Sequence, residues 1–151
     1  ERVDAGGLAR SVADRMERAA LEKRLKFQVA IAPSAGVING DPRRIRESLE
    51  HVLRNAIAYT DKGRVTLAVT GDADRLRIEV ADTGPGLSEE DQAKVFERFT
   101  RLGAGRGDAA LGLGLPLTRQ FIEAHGGTVE LQSTKGRGTV VTMTIPRNKP
   151  A

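Results

Sequence analysis

The sequence predicts a two-layer α/β sandwich, an α+β arrangement in which a mixed, mostly antiparallel sheet carries helices on one face. Three observations carry this expectation. Long segments with apolar residues at helical spacing alternate with short ones whose apolar residues fall at every second position. Strand-like segments come in neighbouring pairs, "RVTLAVT" with "RLRIEVAD" across "GDAD", and "TVELQS" with "GTVVTMTIP" near the end, as antiparallel hairpins require. The chain of 151 residues has the length of one domain and buries roughly two-thirds of its unfolded surface, so it needs no disulfide and has no cysteine to make one.

Each element has its own signal. "LARSVADRMERAALEKR" from Leu8 repeats apolar residues at helical spacing, and "KFQVAIA" (26–32) alternates like a strand. "DPRRIRESLEHVLRNAIAYT" opens with Asp41 as N-cap and Pro42 at the first helical position, with Ile45, Leu49, Val52 and Ala56 on its buried face. "DKG" ends that helix and leads into the first hairpin. "SEEDQAKVFERF" reads as a short helix capped by Ser88, with Asp91 at the capping-box position. "TRLGAGRGDAA" (100–110) has no apolar period and reads as a mobile loop. "LGLGLPLTRQFIEAH" resumes a helix that Gly126 ends, with His125 as a last-turn residue favoured by the helix dipole. The domain is expected to span 1–146, with 147–151 as a frayed tail.

Net charge is +4, which favours anionic partners, while an aromatic content of 3% argues against a base-stacking platform. A nucleotide is therefore expected rather than a nucleic acid. The absence of cysteine rules out thiol catalysis and zinc ribbons and fits a reducing compartment. No apolar stretch approaches the ~20 residues needed to span a bilayer and no signal peptide is evident, so the fragment is expected to be soluble and without direct membrane contact; a cytoplasmic location is expected for it, with membrane anchoring of a longer parent chain left open.

Three stretches carry chemistry. Ser48, His51, Asn55 and Tyr59 share one stripe at the edge of the second helix's apolar face. Such a stripe is either the solvent border or, at Asn55, a carboxamide oxygen able to hold magnesium, which takes few protein ligands. "ADTGPGL" (81–87) sets Asp82 before two glycines at a strand exit, as a turn or as an acceptor with room for a ligand. "GLGLP" (112–116) at a helix start offers unpaired N–H groups to a phosphate, or serves packing; it matches neither the P-loop nor the Rossmann fingerprint.

In order, "HVLRNAIAYT", "DTGPGL", "VFERFTR", "LGLGLPLTRQFIEAHGG" and "GRGT" resemble the nucleotide-binding domain of sensor histidine kinases, in the superfamily that also holds type II topoisomerase, chaperone and mismatch-repair ATPases. The resemblance runs from about Asp41 to Pro146. It implies the Bergerat fold with a flexible ATP lid, and ATP with Mg2+ as cofactors. Carried over residue by residue, Asn55 is the magnesium ligand, Asp82 accepts the adenine amino proton, and Gly84 and Gly86 admit the base. Tyr59 packs beside adenine. Phe96 and Phe99 anchor the lid, and Arg101 reaches the terminal phosphates. Gly112, Leu113, Gly114 and Leu115 surround the triphosphate, and Gly136, Gly138 and Thr139 lie near the base.

The implied reaction is transfer of the ATP γ-phosphoryl group to a histidine on a separate dimerisation and phosphoacceptor domain, expected before residue 1, with a response-regulator receiver downstream. Three departures from the family stand out. His51 stands where Asn is common, Ala58 where Lys usually contacts phosphate, and Ala110 with Leu111 where the glycine box has a Gly-x lead. A missing cation beside a triphosphate removes about 1.5–3 kcal/mol, roughly ten- to a hundredfold in affinity. The alternative is therefore a degenerate module with weak or absent ATP binding that signals by docking. His51 also lies where the hydrolase relatives carry a glutamate base, which disfavours ATP hydrolysis of their kind.

Overall fold

The computed structural model describes residues 1–94 and 109–148. In chain order the elements are β1 (Arg2–Asp4), α1 (Ala5–Glu22), β2 (Lys26–Ile31), a 3-10 turn (Pro33–Ala35), β3 (Val37–Asn39), α2 (Pro42–Tyr59), β4 (Arg64–Gly71), β5 (Arg75–Asp82), α3 (Glu89–Lys94), α4 (Ala109–Ala124), β6 (Thr128–Thr134) and β7 (Gly138–Pro146). The main sheet has the order β2-β4-β5-β7-β6, and only its β2–β4 pair is parallel. A parallel pair needs a crossover, and α2 lies within it.

The register explains the core. Val29, Leu67, Val80, Val141 and Leu131 form one row across the strands, and Ile31, Val69, Ile78, Met143 and Val129 form the next. Both rows face the helices, because alternate residues of a strand share a face. The other face carries small and polar side chains, among them Ala68, Glu79, Thr142 and Glu130 in one row. Helix α2 packs between α1 and α4 and buries Ile45, Leu49, Val52 and Ala56, as its spacing predicts.

The helix ends are individually tied. Asp41 Oδ1 accepts from the Arg43 N–H at 3.0 Å. At the other end of α2, Lys23 Nζ donates to the carbonyls of Ile57 (2.8 Å) and Ala58 (3.0 Å). A cation from α1 thus covers the C-terminal carbonyls of a helix that has no basic residue in its own last turn. Gly126 (φ 87°) ends α4, and the Gly127 N–H returns to the Ile122 carbonyl at 2.8 Å.

Three expectations change. The short strands β1 and β3, which pair with each other, escape periodicity because three residues contain too little alternation. The tail is not frayed at its start: the Arg147 guanidinium donates to the carbonyls of Ser34, Ala35, Val37 and Asp72, and Asn148 Oδ1 accepts from Asn39 Nδ2. Residues 149–151 lie outside the described residues. His125 is a buried packing residue, 5% exposed, with its ring against Phe121 and Gly40.

Candidate functional site

A third row on the helix-facing side of the sheet reads Phe27, Val65, Asp82, Thr139, Ser133. It continues the two aliphatic rows by one strand repeat and turns polar, so the site grows out of the end of the core. Asp82 closes β5, and its Oδ1 accepts from the Gly84 N–H at 2.9 Å. The Thr139 N–H also bonds this carboxylate. Burial pushes the Asp82 carboxyl above its usual range, and those two backbone bonds oppose the rise.

The glycines explain how distant segments meet there. A Cβ on Gly84 would stand 3.0 Å from the Tyr59 carbonyl oxygen, 3.1 Å from Asp82 Oδ1 and 3.2 Å from Thr60 Oγ1, so the last turn of α2 and the end of β5 converge on this residue. Gly86 has φ 71° and lies against the Thr134 carbonyl, and Gly138, at φ 119°, lies against the Asp82 carbonyl; added Cβ atoms would overlap both oxygens. The Gly136 N–H donates to the Pro85 carbonyl at 2.6 Å. The "DTGPGL" loop is thereby seated on the "KGRGT" turn. Tyr59, Asp82, Gly84, Gly86 and Thr139 are brought to one end of the sheet.

The polar stripe of α2 divides. Ser48 is buried, and its hydroxyl donates to the Arg44 carbonyl at 2.9 Å, a local back-bond within the helix. His51 lines a cleft of about 310 Å³ between α2 and α4, together with Thr118 and Phe121; the cleft takes in neither Asn55 nor Asp82. Partial burial, then Arg54, lowers the His51 pKa against the raising pull of Glu47 and Glu50. Asn55 is 8% exposed and its Nδ2 has no partner. A buried carboxamide with an unmet polar end suits a site completed by a ligand. No group of three or more His, Cys, Asp or Glu able to hold a metal occurs among the described residues; the orphaned Asn55 Nδ2 is a donor that suits a phosphate oxygen, and a Mg2+ ion would take the carboxamide Oδ1, with phosphate oxygens and waters in its other positions.

The glycine box sits differently from expectation. Helix α4 begins at Ala109, so Gly112, Leu113, Gly114 and Leu115 lie within its first two turns rather than at its first residues. Ala109, Ala110 and Leu111 are strong helix formers and extend the helix upstream. N–H groups without an intrahelical partner are then those of 109–112, while those of Gly114 and Leu115 fall within the helical ladder. Pro116 has no N–H, which leaves the Gly112 carbonyl without its usual donor. Arg101, Phe96 and Phe99 lie outside the described residues.

Residues not singled out from sequence also stand here. Thr60 is 0% exposed and its Oγ1 has no partner. Ser133 completes the polar row, and the alternation Val129, Leu131, Ser133 in "TVELQS" was the signal available for it.

Residues 40–149 match the family described as histidine kinase-, DNA gyrase B-, and HSP90-like ATPases. The circadian input-output histidine kinase CikA of Synechococcus elongatus is 38% identical over 128 residues, which cover 83% of this chain and 17% of that protein. Among solved structures, full-length ShkA in complex with AMPPNP is 32% identical with a TM-score of 0.86, covering 100% of this chain and 32% of that one. The mycobacterial sensor histidine kinase MprB is 26% identical with a TM-score of 0.84, over 99% of this chain and 100% of that one. The chain spans about a sixth of the length of CikA. No helix among the described residues is long and apolar enough to cross a membrane. The chain belongs to the histidine kinase-, DNA gyrase B- and HSP90-like ATPase family, as a catalytic ATP-binding domain of the sensor histidine kinase type.

Proposed function

We propose that this domain binds Mg-ATP and donates the γ-phosphoryl group to a histidine on a separate phosphoacceptor and dimerisation domain, in a two-component pathway that continues to a response-regulator receiver. The observation that carries the reading is the Asp82 carboxylate, half-buried at the end of β5, held by the N–H groups of Gly84 and Thr139, where glycines let the end of α2, the end of β5 and the "KGRGT" turn close on one another. The carboxylate accepts from the adenine amino group, while Tyr59 packs beside the base. Gly84 and Gly86 admit it. Asn55 supplies an amide oxygen to Mg2+, which when bound neutralises the phosphates and links them to α2. Residues 112–115 border the triphosphate, with the N–H of Gly112 left free by the helix to donate to it, and Arg101 contacts the terminal phosphate. The imidazole nitrogen of the acceptor attacks the γ-phosphorus as the bond to the β,γ-bridging oxygen breaks, and ADP leaves. ATP as substrate places the domain in the cytoplasm.

A second reading, a degenerate module that signals by docking, draws on Ala58, His51 and the Ala110–Leu111 lead into the glycine box. Calorimetric titration with Mg-ATP separates the two. Binding that disappears in Asp82→Ala and Asn55→Ala supports the active reading, and no heat at millimolar nucleotide sinks it. Labelled ATP supplied with the acceptor domain then tests transfer itself.

A further inference from the structure

The cleft between α2 and α4 has a direction. Gly40 lies against His125, and the space before α2 is bordered by Asp41, Arg44 and Phe121. The next cleft runs from Arg44 to His51 on α2 and back from Ala124 to Leu117 on α4, so the two helices are antiparallel. Arg44, Glu47, Ser48 and His51 line its α2 side; about seven residues on, two turns further, the same face carries His51, Arg54, Asn55 and Ala58. On α4, Gln120 and Phe121 line the cleft, and two turns earlier come Leu113 and Gly114. The seam that holds His51 thus leads to Arg54 and Asn55 on one side and to the glycine stretch on the other.

Arg54 brings a cation to that seam, and the fold leaves it uncompensated. Its side chain is exposed. Glu50, the carboxylate one turn before it, is drawn away to Arg15 of α1 at 3.1 Å, and Glu47 pairs with Arg44 at 3.5 Å. No ion pair among the described residues engages Arg54. Its charge is felt on the cleft side of α2, where it opposes protonation of His51. A triphosphate carries more negative charge than one divalent ion cancels, whereas the Asn55 carboxamide and the Gly112 N–H are neutral donors and acceptors. We propose that Arg54 is a nucleotide-binding residue whose guanidinium reaches along the α2–α4 seam and pairs with phosphate oxygens of Mg-ATP. This rests on the Mg-ATP reading above. An unpaired guanidinium takes two phosphate oxygens at once and has no ion pair to break first.

Calorimetric titration of the domain as it stands, with no acceptor domain added, tests this. Arg54→Gln weakens Mg-ATP binding by about tenfold and makes affinity less sensitive to added salt. The melting temperature holds, because the side chain is exposed and folding does not depend on it. Arg54→Lys keeps most of the affinity. Adding Ala58→Lys to Arg54→Gln returns a cation to the same seam one turn on and recovers binding. Equal affinity in Arg54→Gln overturns the inference, as does a loss that neither Arg54→Lys nor Ala58→Lys recovers, which marks shape rather than charge. Wild-type protein that binds no Mg-ATP overturns the inference together with the reading beneath it. Wild-type binding that Asp82→Ala abolishes and Arg54→Gln leaves unchanged overturns the inference alone.

Discussion

Asp82 is held between burial, which favours its neutral form, and two backbone N–H groups, which favour the anion; burial prevails and the pKa is raised. An acid whose folded-state pKa lies above its unfolded value binds more protons when folded, so stability declines as pH climbs from the unfolded carboxylate range through the folded value. Thermal melts of the nucleotide-free protein should show that decline, and Asp82→Asn should remove it. Mg-ATP affinity should fall on acidification from above the ordinary carboxylate range, because a protonated carboxyl no longer accepts from adenine. Asp82→Ala at neutral pH should weaken binding by about ten- to a hundredfold. His51 carries the opposite sign. Its pKa is lowered by burial and Arg54, so the folded state resists protonation and stability is lost as pH falls below 6.5 toward the folded value. His51→Gln should flatten that acid limb in a pH series of melts.

At the scale of elements, α4 sets helix formation against ligand approach. Gly112 and Gly114 lie inside the helix, where glycine costs about 1 kcal/mol relative to alanine. Gly114→Ala should therefore raise the denaturation midpoint while weakening Mg-ATP binding; equal or tighter binding would remove this stretch from the nucleotide site. The elements also show what was legible. Asp41, Pro42 and the spacing of Ile45, Leu49, Val52 and Ala56 marked α2 because capping and amphipathic period are local properties. The start of α4 was misplaced because a glycine-rich stretch was weighed as a boundary, while Ala109, Ala110 and Leu111 propagate the helix ahead of it. Thr60 was passed over because a hydroxyl on a core face has no local signature, and Ser133, although it continues the alternation of Val129 and Leu131, because its meaning depends on which strand lies beside it.

The whole molecule is closed by a residue beyond its last strand. Arg147 donates to carbonyls of the turn after β2, of β3 and of the β4–β5 turn, while Asn39 N–H returns a bond to its own carbonyl. Arg147→Ala leaves those acceptors to water and should cost about 2 kcal/mol, a melting-point loss of about 4–8 °C for a domain of this size. Mg-ATP affinity should hold, since the clamp binds the opposite ends of the strands from Asp82. A parallel loss of affinity in the folded variant would contradict that separation.

The order of the longer helices and strands, the Asp41 and Ser88 caps, the buried face of α2 and the family's ordered motifs were determined by the sequence alone, because each depends on residues close together in the chain. Tertiary structure alone decided that Asp82, Thr139 and Ser133 share one row, that Gly84 joins α2 to β5, and that the "DTGPGL" loop rests on the "KGRGT" turn. Those facts depend on strand register, and register is set by the whole aliphatic core packing at once.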